Sequence, residues 1–156
     1  MEERFMKLAE ALNLRSDLQK RIAQLKESLN HNVKVQEGDK PGEKPEKLFA
    51  ELNELLPQLQ DMIIRINNTN CKTVVDGKTL TEWIAERDVL ATKLNIYRSA
   101  YSNSVIRVER YSRNEIRYVR AIDSEELHKQ VDVLSKQYRE LDMKLQEANW
   151  INELNW

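Results

Sequence analysis

The densest basic cluster in the chain is Arg107, Arg110, Arg113, Arg117 and Arg120, opposed locally only by Glu109 and Glu115. Tyr111 and Tyr118 interleave it, and no lysine occurs there. Guanidinium forks match phosphate or carboxylate, and tyrosine offers a stacking face. These residue types therefore fit a small anion or a single-stranded nucleic acid as ligand. On an extended strand, Arg117, Val119 and Ala121 face one way, and Tyr118, Arg120 and Ile122 the other. The competing reading is a solvated sheet whose arginines pair with nearby acids. Arg87 is a second oddity, the single charge on an otherwise apolar heptad. A buried guanidinium requires carboxylate or carbonyl partners, and Asp88 points about 100° away on a helix, so a distant partner is expected. Such a residue either fixes helix register or reaches into a pocket.

Other constellations are thin. Di-iron bundles use paired Glu-x-x-His motifs. Here Glu125-Glu126-Leu127-His128 stands alone, because His31, the other histidine, has Ser28 where the glutamate belongs. No metal site is expected. Cys71 has no histidine near it in sequence, and three glycines cannot form a phosphate-cradling loop motif. The expectation is no catalytic residue and no cofactor; an enzymatic activity stays open but has no positive support in these residues.

Composition narrows the class further. Charged residues are 33% of the 156, with three glycines and three prolines, a balance suited to long helices. A net charge of -1 excludes a globally basic nucleic-acid binder, though not a local patch. Mean hydropathy is -0.70, and no apolar run approaches the ~18 residues of a membrane span. The start, Met1-Glu2-Glu3-Arg4, lacks signal-peptide character, and one cysteine fits a reducing compartment, so a cytoplasmic location is expected. The sequon Asn67-Asn68-Thr69 is read as chance.

Four helical segments must position these residues. The first, from about Glu3 to Asn30, carries Leu8, Ala11, Leu14, Leu18, Ile22, Leu25 and Leu29. A flexible loop follows over about 31–45, with a short extended piece at Val33–Val35. The second helix begins near Pro45, a residue suited to a first turn. Leu48, Leu52, Leu55, Leu59, Met62 and Ile66 form its seam, while Phe49, Leu56 and Ile63 form an adjoining stripe. Two stripes place this helix at the bundle centre. Pro57 predicts a kink or break, and Asn67–Asn70 should end the helix.

Asp76-Gly77 between β-branched residues predicts a hairpin near 73–80, and Thr79-Leu80-Thr81-Glu82 reads as a capping box. The third helix then carries Leu80, Trp83, Arg87, Leu90, Leu94, Tyr97 and Tyr101, and stops at Ser102–Ser104. Val105–Val108 and Ile116–Ile122 predict a second hairpin, near 105–122. Asp123 caps the fourth helix. Its seam is Leu127, Val131, Leu134, Tyr138, Leu141, Leu145 and Ala148, with Trp150 expected to pack and the setting of Trp156 left open. Helices of about 25 residues span roughly 35–40 Å. The expected fold is mainly α, a single domain over 1–156. It is an antiparallel bundle of about four long helices with coiled-coil-like seams and short hairpins.

The order of segments resembles the septicolysin-like family of small bacterial proteins. The resemblance rests on Lys7-Leu8-Ala9-Glu10-Ala11-Leu12, Leu18-Gln19-Lys20-Arg21-Ile22 and Val35-Gln36-Glu37-Gly38. It continues through Arg65-Ile66-Asn67-Asn68-Thr69-Asn70, Arg87-Asp88-Val89-Leu90, Tyr111-Ser112-Arg113-Asn114-Glu115-Ile116 and Gln146-Glu147-Ala148-Asn149-Trp150. It implies a pore-forming cytolysin and supplies no catalytic residues.

The residues themselves favour a non-enzymatic homo-oligomer whose helices are the self-association surface. The first alternative is a binder of an anionic ligand or nucleic acid through Arg107–Arg120. The activity implied by the resemblance is the second.

Overall fold

The computed structural model describes residues 5–106 and 117–155. Among the described residues the fold is mainly α, a helical bundle with a short hairpin. Its elements are α1 (Leu8–Asn32), α2 (Pro45–Lys72), β1 (Val74–Val75), β2 (Lys78–Thr79), α3 (Leu80–Ser104) and α4 (Ser124–Ile151). Two compact units divide the chain: Met1–Leu80 with Gln146–Trp156, and Thr81–Leu145.

In the first unit α1 and α2 pack antiparallel. Leu25, Leu29 and Leu48 form a buried cluster with Leu52 and Leu55 against it. Arg21 of α1 forks onto Glu51 of α2, Nε to Oε1 at 2.6 Å and Nη2 to Oε2 at 2.8 Å. After α2, Asp76 (φ 47°) and Gly77 (φ 79°) make the turn that joins β1 to β2, with Val74 opposite Thr79 and Val75 opposite Lys78. Positive φ at both central residues gives the twist a two-residue hairpin needs, and Asp-Gly reaches it cheaply. The Leu80 N–H donates to the Thr73 carbonyl at 2.9 Å and closes the hairpin onto α3.

The chain ends are tied within the same unit. Lys7 and Glu153 form an isolated antiparallel bridge. The Leu8 N–H donates to the Asn152 carbonyl at 2.9 Å, and the Leu154 N–H to the Met6 carbonyl at 2.8 Å. This bridge explains why α1 begins at Leu8 rather than near Glu3. Lys7 is held extended, and its N–H goes to the Glu10 carboxylate at 3.0 Å, an end-of-helix arrangement.

In the second unit α3 and α4 run antiparallel. Leu94, Val131 and Leu134 are buried, with Leu90, Tyr97, Tyr101 and Tyr138 packed against them. Asp123 Oδ1 accepts the N–H groups of Glu125 (2.9 Å) and Glu126 (3.2 Å), satisfying donors that the first turn of α4 leaves open.

Several expectations need correction. Pro57 does not interrupt α2, which runs unbroken past it. The carbonyl that loses its donor belongs to Asn53, and both residues are exposed, so it remains open to solvent. Asn67–Asn70 does not end α2 either, because Thr69 continues the buried heptad line from Met62 and Ile66. The helix is not covered on both stripes: Phe49 (48%), Leu56 (43%) and Ile63 (37%) stay exposed. No strand forms at Val33–Val35. Of the expected second hairpin, residues 107–116 lie outside those described. The described flanks 105–106 and 117–122 form no strand, and Tyr118 and Val119 are almost fully exposed.

Candidate functional site

Arg87 sits in the α3 seam as the spacing requires, and its distant partner is Asp142 of α4. The Nη1 donates to Asp142 Oδ1 at 3.3 Å. Asp88 takes part as well, contrary to the angular argument, accepting from Nε at 3.2 Å. The long guanidinium stem bends back far enough to reach its neighbour. Arg87 is only half-buried, so it needs no fully enclosed pocket.

Further cross-helix contacts flank this pair. Lys144 Nζ lies 4.0 Å from the centre of the Trp83 ring, a cation–π contact. Arg98 donates to Ser135 Oγ at 3.2 Å. The Tyr101 and His128 rings are 4.9 Å apart, and the Ser104 and Ser124 hydroxyls 2.9 Å. Along α3 these contacts advance from Trp83 to Ser104 while their partners on α4 retreat from Lys144 to Ser124. One antiparallel register therefore accounts for all of them. Arg87 is one rung of a polar and aromatic ladder beside the apolar seam.

The arginine segment is only partly within view. Arg107, Arg110, Tyr111 and Arg113 lie outside the described residues. Arg117 and Arg120 are exposed, and Tyr118 between them is 89% exposed. Tyr118 and Arg120 line a cavity of about 410 Å³ with Ser104, Ile106 and Ile122. Arg87 does not join them. It lies about 25 Å along α3 from Ser104, at 1.5 Å per residue.

The α4 seam residues Leu127, Val131, Leu134 and Leu145 are buried, and Tyr138 and Leu141 half-buried. Trp150 departs from the packing expected of it and is 57% exposed, lying two positions beyond the buried Ala148 and off the seam line. Trp156 is outside the described residues. His31 and His128 serve local contacts, to the Glu27 carbonyl at 2.7 Å and to Asp132 at 3.5 Å. Among the described residues no group of three His, Cys, Asp or Glu side chains converges on a metal-sized site. Among them, too, no helix is long and apolar enough to cross a membrane.

Thr69 was not singled out by the sequence. Fully buried, its hydroxyl donates to the Arg65 carbonyl at 2.8 Å and accepts the Asn155 N–H at 2.9 Å. The available signal was its heptad spacing from Met62 and Ile66. Among the described residues, Arg21 and Glu51 shift each other's ionisation. Hydrogen bonding from Arg21 holds the Glu51 carboxyl below the usual carboxylate range, and the same bonds raise the Arg21 guanidinium.

A family model described as a family of unknown function (DUF6847) matches residues 15–154. The chain belongs to that family. A member of DUF6847 by nearly its whole length, it is also similar to a solved protein. That protein is described as a functionally unknown conserved protein from Corynebacterium diphtheriae. The two are 40% identical, the match covers 97% of this chain and 100% of that one, and the TM-score is 0.90. None of the curated proteins matches. The DUF6847 match corrects the resemblance to septicolysin-like proteins, which rested on short runs such as Arg87-Asp88-Val89-Leu90. The pore-forming expectation falls with that assignment.

Proposed function

We propose that this chain is a non-enzymatic helical protein that works by self-association, as a single domain in the cytoplasm. The observation that carries the reading is the exposed apolar stripe of α2, Phe49, Leu56 and Ile63, adjoining a seam already satisfied within the chain. Scattered exposed apolar residues are ordinary, but a stripe at seven-residue intervals is the form in which helices meet partners. The cytoplasmic placement draws on cysteine usage: the sequence holds one, Cys71, and so no disulfide within the chain. Sedimentation equilibrium over a wide concentration range tests the reading. An assembly that is a multiple of 18.5 kDa supports it, and a monomer at every concentration overturns it.

A second reading is favoured by Tyr118, which stands almost fully exposed between the exposed Arg117 and Arg120. A bare aromatic face among guanidinium groups suits a single-stranded nucleic acid or another anion. Binding of labelled single-stranded DNA that weakens with salt and with Arg113→Ala plus Arg117→Ala supports it. No shift at low salt removes it.

A further inference from the structure

At about 100° per residue, α2 divides into three arcs. Leu48, Met62 and Ile66 mark the buried one. Lys47, Glu51, Glu54, Asp61, Arg65 and Lys72 cluster in a second, about 80° wide. The third is exposed, and every position on it from Phe49 to Asn67 is uncharged, including Asn53, Leu56, Gln60, Ile63 and Ile64. Ile64 is 49% exposed, comparable to Phe49. Charge depletion around apolar side chains marks the centre of a protein interface rather than a solvated face. An uncharged face offers nothing to a phosphate or to a basic or acidic peptide.

We infer that this face of α2 is a homodimer interface, pairing antiparallel with α2 of a second copy across a two-fold axis at Leu56. The inference rests on the self-association proposed above and specifies its surface. The residues fit the symmetry. Phe49 and Ile63 lie at equal seven-residue steps on either side of Leu56, so the large ring of one copy meets the smaller side chain of the other. An isologous contact demands that match of a patch with itself. Charge selects the direction. Glu46 lies at the N-terminal end of the same arc, and parallel pairing would set it against its own copy. Antiparallel pairing about Leu56 brings Glu46 level with position 66, beside the neutral Asn67 of that face, and opposes the two helix dipoles favourably. Between Phe49 and Asn67 the face runs about 27 Å and offers on the order of 500 Å² per protomer. Two such faces bury about 1,000 Å², the lower bound for a specific interface, so a weak dimer favoured at high protein concentration is expected.

The test combines sedimentation with cross-linking in the full chain carrying Cys71→Ser. Leu56 is exposed, so Leu56→Lys should leave the helical circular dichroism and Tm unchanged while raising the dimer dissociation constant at least about tenfold, as loss of a central anchor does. Ile63→Lys is the second variant, expected to act in the same direction. Under mild oxidation Leu56→Cys should give a covalent dimer. Phe49→Cys and Ile63→Cys should each stay monomeric alone but cross-link when mixed. Self-cross-linking of Phe49→Cys and Ile63→Cys equal to that of Leu56→Cys would overturn the antiparallel register. A dimer unaffected by Leu56→Lys and Ile63→Lys would overturn this face while leaving self-association standing. Absence of any dimer at the highest concentration at which the protein stays in solution would overturn both.

Discussion

Thr69 and Asn155 are joined by a 2.9 Å hydrogen bond that spans 86 residues of sequence. The Thr69 side chain is fully buried and has a second bond, to the Arg65 carbonyl. One hydroxyl therefore serves α2 and the C-terminal segment at once. That segment is also held by backbone bonds from Leu8 and Leu154.

Thr69→Val keeps the shape of the side chain and removes both bonds, leaving the Asn155 N–H without its acceptor. The expected cost is about 1–3 kcal/mol, read as a lowered midpoint in urea unfolding. Thr69→Ser should recover most of the loss, and exchange of the Asn155 amide should quicken in the valine variant. An unchanged midpoint for Thr69→Val would show that the hydroxyl contributes nothing net.

Arg87 and Asp142 invite a double-mutant cycle. Both are half-buried, and an ion pair of this exposure is worth about 0.5–1 kcal/mol. Arg87→Met and Asp142→Asn should each destabilise, and together cost less than the separate losses added. A coupling energy of zero would mean that Asp88 alone satisfies the guanidinium.

How much of this was legible follows from the range of each interaction. Leu94, Val131 and Leu134 could be assigned to a seam because burial of an apolar side chain shows itself in local spacing. The Asp76-Gly77 turn was legible because its dihedral demands fall on adjacent residues. The acceptor of Arg87 was not, since a guanidinium specifies that it needs a carboxylate without specifying which one. Thr69 was hidden for a related reason: a threonine amid asparagines reads as a helix end until a distant N–H arrives to meet it. The exposure of Phe49, Leu56 and Ile63 was equally unreadable, because an apolar stripe looks the same whether its partner lies within the chain or outside it. Of the arginine segment, only Arg117, Tyr118 and Arg120 were placed by the structure, and none of them meets Arg87.

Gly77 is held at φ 79°, where a β-carbon is strained even with open space around it. Gly77→Ala should cost about 1 kcal/mol, as expected for forcing a side chain into the left-handed region. Gly77→Asn should cost less, because asparagine tolerates that region. Thermal unfolding of the two variants beside the parent checks the order, and equal Tm values would contradict the assigned turn.

The Arg21–Glu51 pair makes stability depend on pH in one direction. Arg21 hydrogen bonds lower the Glu51 carboxyl in the folded protein, while the unfolded chain keeps an ordinary glutamate. The pair therefore contributes fully above the ordinary glutamate value. Its contribution is lost as pH falls through the depressed folded value, where the carboxylate takes up its proton. Glu51→Gln removes the ionisation and most of the fork. The Tm gap between parent and variant should be constant near neutral pH and close as the solution is acidified through the carboxylate range. Because the pair is exposed, about 1 M salt should narrow the gap at neutral pH. A gap that widens on acidification would reverse the sign and refute this role for the pair.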